Sequence, residues 1–279
     1  MEMKREINMA RFVRKTVLQY LGFLCFTTSA LSSASAYSDV VDLREYEKHI
    51  FSQNGEDGVL EKVFQALEID KGYCVEFGAF DGYQMSNTLQ FRNRGWKALL
   101  LDWEFEKKEI NLHKEWITKD NIVSLFQKYN VPIEFELLSI DIDSNDWYVW
   151  NELGAIYRPK VVIIEFNPQY GIYEDKIIIY DPQRKWDKTS YFGASLLAFY
   201  RLGRKLGYSL VYAPYFNAVF IRDDLLQEKE LNFKDENDII ALFAGESNCH
   251  ESLKDMPAIS SDDIFQLNWT ENPGTEERE

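Results

Sequence analysis

Carboxylates follow the apolar segments of this 279-residue sequence at the points where those segments end. In open α/β sheets, ligands bind outside the carboxyl ends of the parallel strands, so residues that end strands are the first candidates for chemistry. A carboxylate there can bind a cation, accept a hydrogen bond from a hydroxyl, or act as a general base if burial raises its pKa. The candidates at four strand ends are Glu76, Asp102, the pair Asp141 and Asp143, and Glu165.

A glycine-containing loop follows the first of these strands, in the sequence Val-Glu-Phe-Gly-Ala-Phe-Asp-Gly from Val75 to Gly82. Glycine allows a backbone to approach a ligand closely, and the start of the next helix offers free N–H groups. Glu76 and Asp81 would repel a pyrophosphate, and the loop lacks the Gly-Lys-Ser/Thr of a phosphate-binding loop. The loop therefore suits a ligand with cationic groups and free hydroxyls. Asp102 comes roughly 20 residues later, the placement that suits hydrogen bonding to a ribose diol.

Alternating strand and helix patterns must position these candidates. Continuous apolar segments predict strands that are buried on both faces, and apolar residues at helical spacing predict the helices between them. We expect one α/β domain over residues 37–265, with a doubly wound, mostly parallel sheet that ends in a hairpin. The predicted strands are 72–78, 97–102, 135–142, 161–165, 208–213 and 218–222. The first helix is expected to begin after a cap at Ser52 or Asn54, and the others begin near 86, 122, 147 and 194.

Four ordered segments resemble the class I S-adenosylmethionine-dependent methyltransferases, and most of all the FkbM-type methyltransferase domain. They are Ser-Gln-Asn-Gly-Glu-Asp at 52–57, the glycine loop, Leu-Leu-Leu-Asp at 99–102, and Leu-Leu-Ser-Ile-Asp-Ile-Asp at 137–143. The similarity spans Phe51 to Asp224. It implies a three-layer Rossmann-like fold with a mostly parallel seven-stranded sheet, strand order 3-2-1-4-5-7-6, in which Ala218–Arg222 is antiparallel. The sequence departs from the family pattern in two places. The third strand is hard to find between Leu112 and Ile122, and the sequence Asp141-Ile-Asp-Ser stands where FkbM-type members have an Asp-Val-Glu-Gly type of sequence.

The resemblance also implies a cofactor and a reaction. Asp102 would hold the ribose hydroxyls of S-adenosylmethionine, and Asp141 would lie near its amino acid end or near the acceptor. The acceptor would be a hydroxyl on a sugar or another small or glycan molecule, which needs a general base but no metal ion. Asp141, Asp143 and Glu165 are the candidates for that base. The residues expected to line the methionine and ribose part are Glu76, Gly78, Asp81 and Gly82.

Two other functions remain open. The aspartates of Asp141-Ile-Asp143 could instead bind Mg²⁺ or Mn²⁺ in a glycosyltransferase, although the glycine loop and Asp102 would then have no part. The fold could also be a non-catalytic binding domain, and Trp147–Trp150 could offer it an aromatic platform, although half core and half surface is the commoner role. The long insertion Tyr170–Ser190 is typical of a lid or an acceptor site, although part of it could equally be an extra hairpin.

The charge and the composition limit the classes of partner and the kinds of site that this protein can have. A formal net charge of −15 disfavours a protein that grips DNA or RNA broadly. Three cysteines and three scattered histidines cannot make a disulfide framework or a His-rich metal centre. A buried free thiol is expected for Cys74.

Both ends of the chain differ from the domain between them. Residues 1–36 combine Arg11, Arg14 and Lys15 with a short apolar segment and Ala34-Ser35-Ala36, which predicts a signal peptide or an N-terminal membrane anchor. The domain would then lie in the periplasm or secretory lumen, be secreted, or be tethered to the membrane by this segment alone. Residues 266–279 predict a disordered acidic tail.

Overall fold

The computed structural model describes residues 40–244 and 248–270. The predicted signal or anchor segment and residues 271–279 of the predicted tail lie outside the described residues, so both stay predictions. A helix covers Ser261–Thr270, and residues 266–270 are therefore helical where we predicted the tail to begin. Among the described residues, no helix has the length and apolar character that a membrane span requires.

Seven strands in the described part of the chain form one sheet of order β3-β2-β1-β4-β5-β7-β6. The first five strands are parallel, and β7 is antiparallel to both of its neighbours. This confirms the predicted Rossmann-like fold class with its antiparallel strand near the edge. The strands are β1 (Tyr73–Phe77), β2 (Lys97–Asp102), β3 (Leu112–Lys114), β4 (Glu134–Ile140), β5 (Arg158–Glu165), β6 (Tyr208–Tyr212) and β7 (Asn217–Arg222).

Helices cover both faces of the sheet. On one face α3, α4 and α5 pack on the strands, and on the other face α1 and α2 do so. Strand residues such as Leu99 and Val161 have no exposed surface, because each face of the sheet meets a helix layer. The helices are α1 (Glu56–Ala66), α2 (Leu89–Asn93), α3 (Ile122–Lys128), α4 (Asp146–Gly154), α5 (Leu196–Leu206), α6 (Asp223–Glu228), α7 (Ile239–Leu242) and α8 (Ser261–Thr270).

Three local features complete the comparison with the sequence. The strand that was hard to find is β3, which has only three residues, of which Leu112 alone is buried. Trp147, Tyr148 and Trp150 are all buried in the core beside α5, so the hypothesis of an aromatic platform is wrong. Cys74 is a buried free thiol, as expected.

The insertion contains a short strand, Ile177–Ile178, which pairs with Ala258–Ile259 near the C-terminus. Next to this pair, Arg201 of α5 contacts Asp175 at 2.6 Å, and Asp175 also accepts a hydrogen bond from the Ser261 hydroxyl at 2.9 Å. The segment after α7 therefore holds the base of the insertion against the domain.

Candidate functional site

A cavity of about 850 Å³ lies at the carboxyl edge of the sheet. Each of the first five strands contributes an acidic residue to the lining of the cavity. That residue lies at the carboxyl end of the strand or next to it. This volume lies in the upper part of the range of roughly 300–1,000 Å³ that is usual for small-molecule sites. The five strand-end residues that line it are all acidic: Glu76, Asp102, Glu115, Asp141 and Glu165.

Gly78 brings the end of β1 against the end of β4. Its φ of +62° lies in the left-handed region, and a Cβ at this position would overlap the carbonyl oxygen of Asp141. Only glycine satisfies both conditions without a shift of the backbone. Gly78 therefore lines the cavity because it permits the close approach of these two strand ends.

Asp81 and Gly82 shape the loop but do not belong to the lining of the cavity. The Asp81 carboxylate accepts the N–H groups of Tyr83 and Gln84, at 2.9 and 3.0 Å, and these bonds lower its pKa. Gly82 has a φ of +80°, and a Cβ at this position would meet the side chain of Ile110 first. Their contact with a cofactor stays a prediction.

Glu76 fixes the segment that leads into α2. Its carboxylate accepts hydrogen bonds from the Ser86 hydroxyl at 2.7 Å, the Asn87 N–H at 2.8 Å and the Thr88 hydroxyl at 2.5 Å. Burial raises the pKa of Glu76, although these three bonds act in the opposite direction. The side chain thus lines the cavity while most of its acceptor capacity serves the loop.

Asp102 joins the end of β2 to the glycine loop. One carboxylate oxygen accepts the Phe80 N–H at 2.9 Å, and the other accepts the N–H groups of Glu104 and Phe105 at 2.7 and 3.0 Å. A carboxylate offers about four lone-pair sites, so these three bonds leave capacity for a further donor. The preset position of Asp102 at the cavity wall suits it to a hydroxyl of a bound molecule.

Asp141, Asp143 and Glu165 form a cluster, in which one oxygen of each carboxylate lies within 4.8 Å of the others. Burial first, and then the neighbouring carboxylates, raise the pKa values of Asp141 and Glu165 well above the usual range. Two carboxylates in contact cannot both ionise easily, so one proton shared between Asp141 and Glu165 relieves their repulsion. The partner that stays ionised can accept a proton from a hydroxyl.

The turn after β4 is held by Asp146. Its carboxylate accepts the N–H groups of Ile142 at 2.7 Å and Ser144 at 2.9 Å, and burial raises its pKa to about 6. Asp143 has a φ of +57°, a conformation that aspartate tolerates better than most residues. Asp146 therefore serves the turn that presents Asp141 and Asp143.

The same three carboxylates could hold a divalent cation. Mg²⁺ and Mn²⁺ prefer hard oxygen ligands, and a cation would neutralise a cluster that otherwise needs protons. Glu115 does not join them, since its carboxylate contacts Lys128 and Tyr129. The geometry of Asp141, Asp143 and Glu165 thus fits either a general base that shares a proton or a set of metal ligands.

Aromatic and basic residues also line the cavity. Trp103 and Trp116 stand edge to face with 6.3 Å between their ring centres, and Lys185 lies 3.8 Å from the centre of the Trp103 ring. Arg184, Lys185 and Trp186 belong to the insertion whose length predicted a lid or an acceptor site, and all three line the cavity. Sequence reasoning missed Trp103 and Trp116, although each directly follows a strand-end acid.

Comparison with protein-family models finds no match, and comparison with curated proteins finds none, so the FkbM-type resemblance stays a prediction. Among solved structures, the citrinin polyketide synthase CMeT domain matches with a TM-score of 0.32 and 10% identity, over 61% of this chain and 51% of that one. The small RNA methyltransferase HEN1 matches with a TM-score of 0.34 and 13% identity, over 59% of this chain and 24% of that one. The chain thus spans about half of the first and a quarter of the second, and similarity at this level does not bear on function.

Proposed function

We propose that the protein is an S-adenosylmethionine-dependent methyltransferase that acts on a hydroxyl of a sugar or another small or glycan acceptor. The observation that carries the proposal is the convergence of strand-end acids on one cavity, beside a loop that needs glycine at position 78. A cavity with this lining favours a ligand that has both positive charge and free hydroxyls.

The chemistry of the lining fits this cofactor. The Asp102 carboxylate has acceptor capacity left for a ribose diol, and Trp103 and Trp116 offer aromatic faces next to it for a purine. Carboxylates at the ends of β1 and β4 suit an ammonium group and a sulfonium ion. When bound, S-adenosylmethionine would supply an activated methyl group on that sulfonium.

The chain itself would align the acceptor and remove its proton. Alignment of two reactants within a closed site supplies a large part of a rate enhancement, and the part of the insertion that lines the cavity, from Arg184 to Ser190, would restrict the acceptor. The ionised member of the Asp141–Glu165 pair would accept the proton of the acceptor hydroxyl as that oxygen takes up the methyl group. The raised pKa values of this pair bring its basicity closer to neutral pH, which is what a general base needs.

Calorimetric titration of the full-length protein with S-adenosylmethionine and with its demethylated product tests the proposal. We expect both to bind, and we expect Asp102→Asn to weaken both. A matched variant, Glu104→Gln, removes a neighbouring acid that is outside the cavity lining and should leave both affinities unchanged. Absence of binding by the unmodified protein would contradict the proposal.

A metal-dependent glycosyltransferase is the second candidate, and the carboxylate cluster at 4.8 Å favours it. In that case Mn²⁺ would be required for binding of a nucleotide-sugar, and S-adenosylmethionine would not bind. Calorimetric titration with UDP-glucose, in the presence of Mn²⁺ or of EDTA, distinguishes the glycosyltransferase from the methyltransferase. Binding of neither ligand would favour the non-catalytic domain.

A further inference from the structure

Residues 181–190 of the insertion form an arch that is fixed at both ends to the edge of the sheet. At its start, the Asn145 side chain donates to the Asp181 carbonyl at 2.8 Å, and the Trp116 indole donates to the Pro182 carbonyl at 2.7 Å. At its end, the Asn167 side chain donates to the Ser190 carbonyl at 2.7 Å. The three donors follow β4, β3 and β5, so the arch has a set position over the cavity.

The arch presents Arg184, Lys185 and Lys188 to the cavity. In the described part of the chain, no carboxylate comes within the 4.0 Å of an ion pair with any of these three side chains. Lys185 lies over the Trp103 ring, and Arg184 lies 4.6 Å from the centre of the Tyr191 ring. Such contacts hold the cations in place without a carboxylate at ion-pair distance, although Arg184 acts on the Asp187 carboxylate from farther away.

These three cations are not among the main influences on the pKa values of the Asp141, Asp143 and Glu165 cluster. The strongest influences on the pKa values of Asp141 and Glu165 are burial and other carboxylates. A protein with a net charge of −15 thus keeps three cations, close together in sequence, in the lining of this cavity. The lining also carries Trp186, whose ring lies 6.3 Å from that of Phe192 and offers an apolar face.

We propose that the acceptor is a small anionic molecule, a hydroxylated compound such as a sugar that carries a phosphate, sulfate or carboxylate group. Arg184 and Lys188 bind the anionic group, and Trp186 contacts the apolar face of the ring, as aromatic side chains with a polar edge do at ligand sites. The acceptor hydroxyl then points away from the arch and toward Asp141 and Glu165. This inference rests on the proposed function, because it assigns the acceptor side of the same cavity.

Titration of the full-length protein with inorganic phosphate, sulfate and acetate, at constant ionic strength, tests the inference. Calorimetry and tryptophan fluorescence give the affinity, and the two kinds of anion separate a tetrahedral group from a carboxylate. We expect at least one anion to bind, and we expect the double variant Arg184→Gln/Lys188→Gln to weaken it about tenfold or more, since charge-assisted hydrogen bonds are lost. The control is Lys108→Gln/Lys254→Gln, which removes the same charge from exposed residues outside the cavity.

The outcomes separate this inference from the proposed function. If S-adenosylmethionine fails to bind but the arch variant alone loses the anion, the anion site stands and the methyltransferase proposal fails. If the wild type binds no anion, or if the control variant loses the anion equally, the inference is overturned. It is also overturned if the arch variant keeps anion affinity but loses affinity for S-adenosylmethionine, because the cations would then bind the carboxylate of the cofactor.

Discussion

Replacement of Gly78 by alanine should destabilise the protein and disturb the site at the same time. The new Cβ would overlap the carbonyl oxygen of Asp141, which belongs to the backbone and cannot rotate away as a flexible side chain can. The φ of +62° adds the cost of a left-handed conformation for a residue with a side chain. The end of β4 must therefore move, and the Asp141 carboxylate must move with it.

The structure offers a matched control for the conformational part of this cost. Gly193 has a φ of +56°, and a Cβ there would meet nothing within 4 Å. The left-handed penalty, less the gain from a stiffer unfolded chain, gives about 1 kcal/mol for Gly193→Ala. Overpacking adds about 1–3 kcal/mol, so Gly78→Ala should lose about 2–4 kcal/mol.

Urea denaturation of the full-length variants measures both losses, and titration with S-adenosylmethionine reports on the site. Gly78→Ala should lower the urea midpoint of unfolding clearly more than Gly193→Ala does. Of the two variants, only Gly78→Ala should weaken the binding of S-adenosylmethionine. Equal losses of stability in the two variants would refute the close approach of β1 and β4 as the reason for glycine. Full cofactor affinity in Gly78→Ala would refute the link between that approach and the position of Asp141.

Three further predictions follow from the carboxylates. Asp102→Asn should weaken S-adenosylmethionine by about 1–3 kcal/mol in calorimetry, the range for a hydrogen bond to a charged group, and unchanged affinity would exclude a ribose contact. Since folding raises the pKa values of Asp141 and Glu165, their contribution to the free energy of unfolding is fully present below the usual carboxyl pKa of about 4 and is lost as the pH rises through the raised values. Urea unfolding across pH should therefore show a smaller loss in Asp141→Asn, and an identical pH dependence would contradict the shared proton. Mn²⁺ should raise the Tm of the wild type more than that of Asp143→Asn, and no difference would argue against a metal held by the cluster.

The sheet could be predicted because its strands carry a strong local signal. The predicted strand 97–102 coincides with β2, since a parallel strand covered on both faces consists of consecutive apolar residues. The opposite case is β3, where three residues with one buried side chain give almost no pattern. Its place is set by pairing with β2 rather than by its own sequence, so only the resemblance anticipated it.

The site could be predicted in part for a similar reason. Glu76, Asp102, Asp141 and Glu165 end strands, and parallel strands bring their ends to one edge. Sequence position alone does not tell which acceptor sites of these carboxylates are already used, and the structure shows that Asp102 binds three backbone N–H groups. Residues 181–190 also line the cavity, and although the length of the insertion indicated a lid or an acceptor site, their position depends on long-range anchors such as Asn145 that no local pattern reveals.

The hydrogen-bond partners of the acids separate those that serve the fold from those that serve a ligand. Asp57 accepts three backbone N–H groups and the Ser52 hydroxyl with one carboxylate oxygen, and Asp146 accepts the N–H groups of Ile142 and Ser144, so both carboxylates hold local backbone in place. Within the described residues, Asp141 faces chiefly other carboxylates, and burial makes that arrangement costly. A fold gains nothing from such a contact, because a neutral residue of similar shape would remove the repulsion. The cluster is therefore best explained by what it binds or deprotonates, and the cations of the arch, which form no ion pair within the described residues, are explained in the same way.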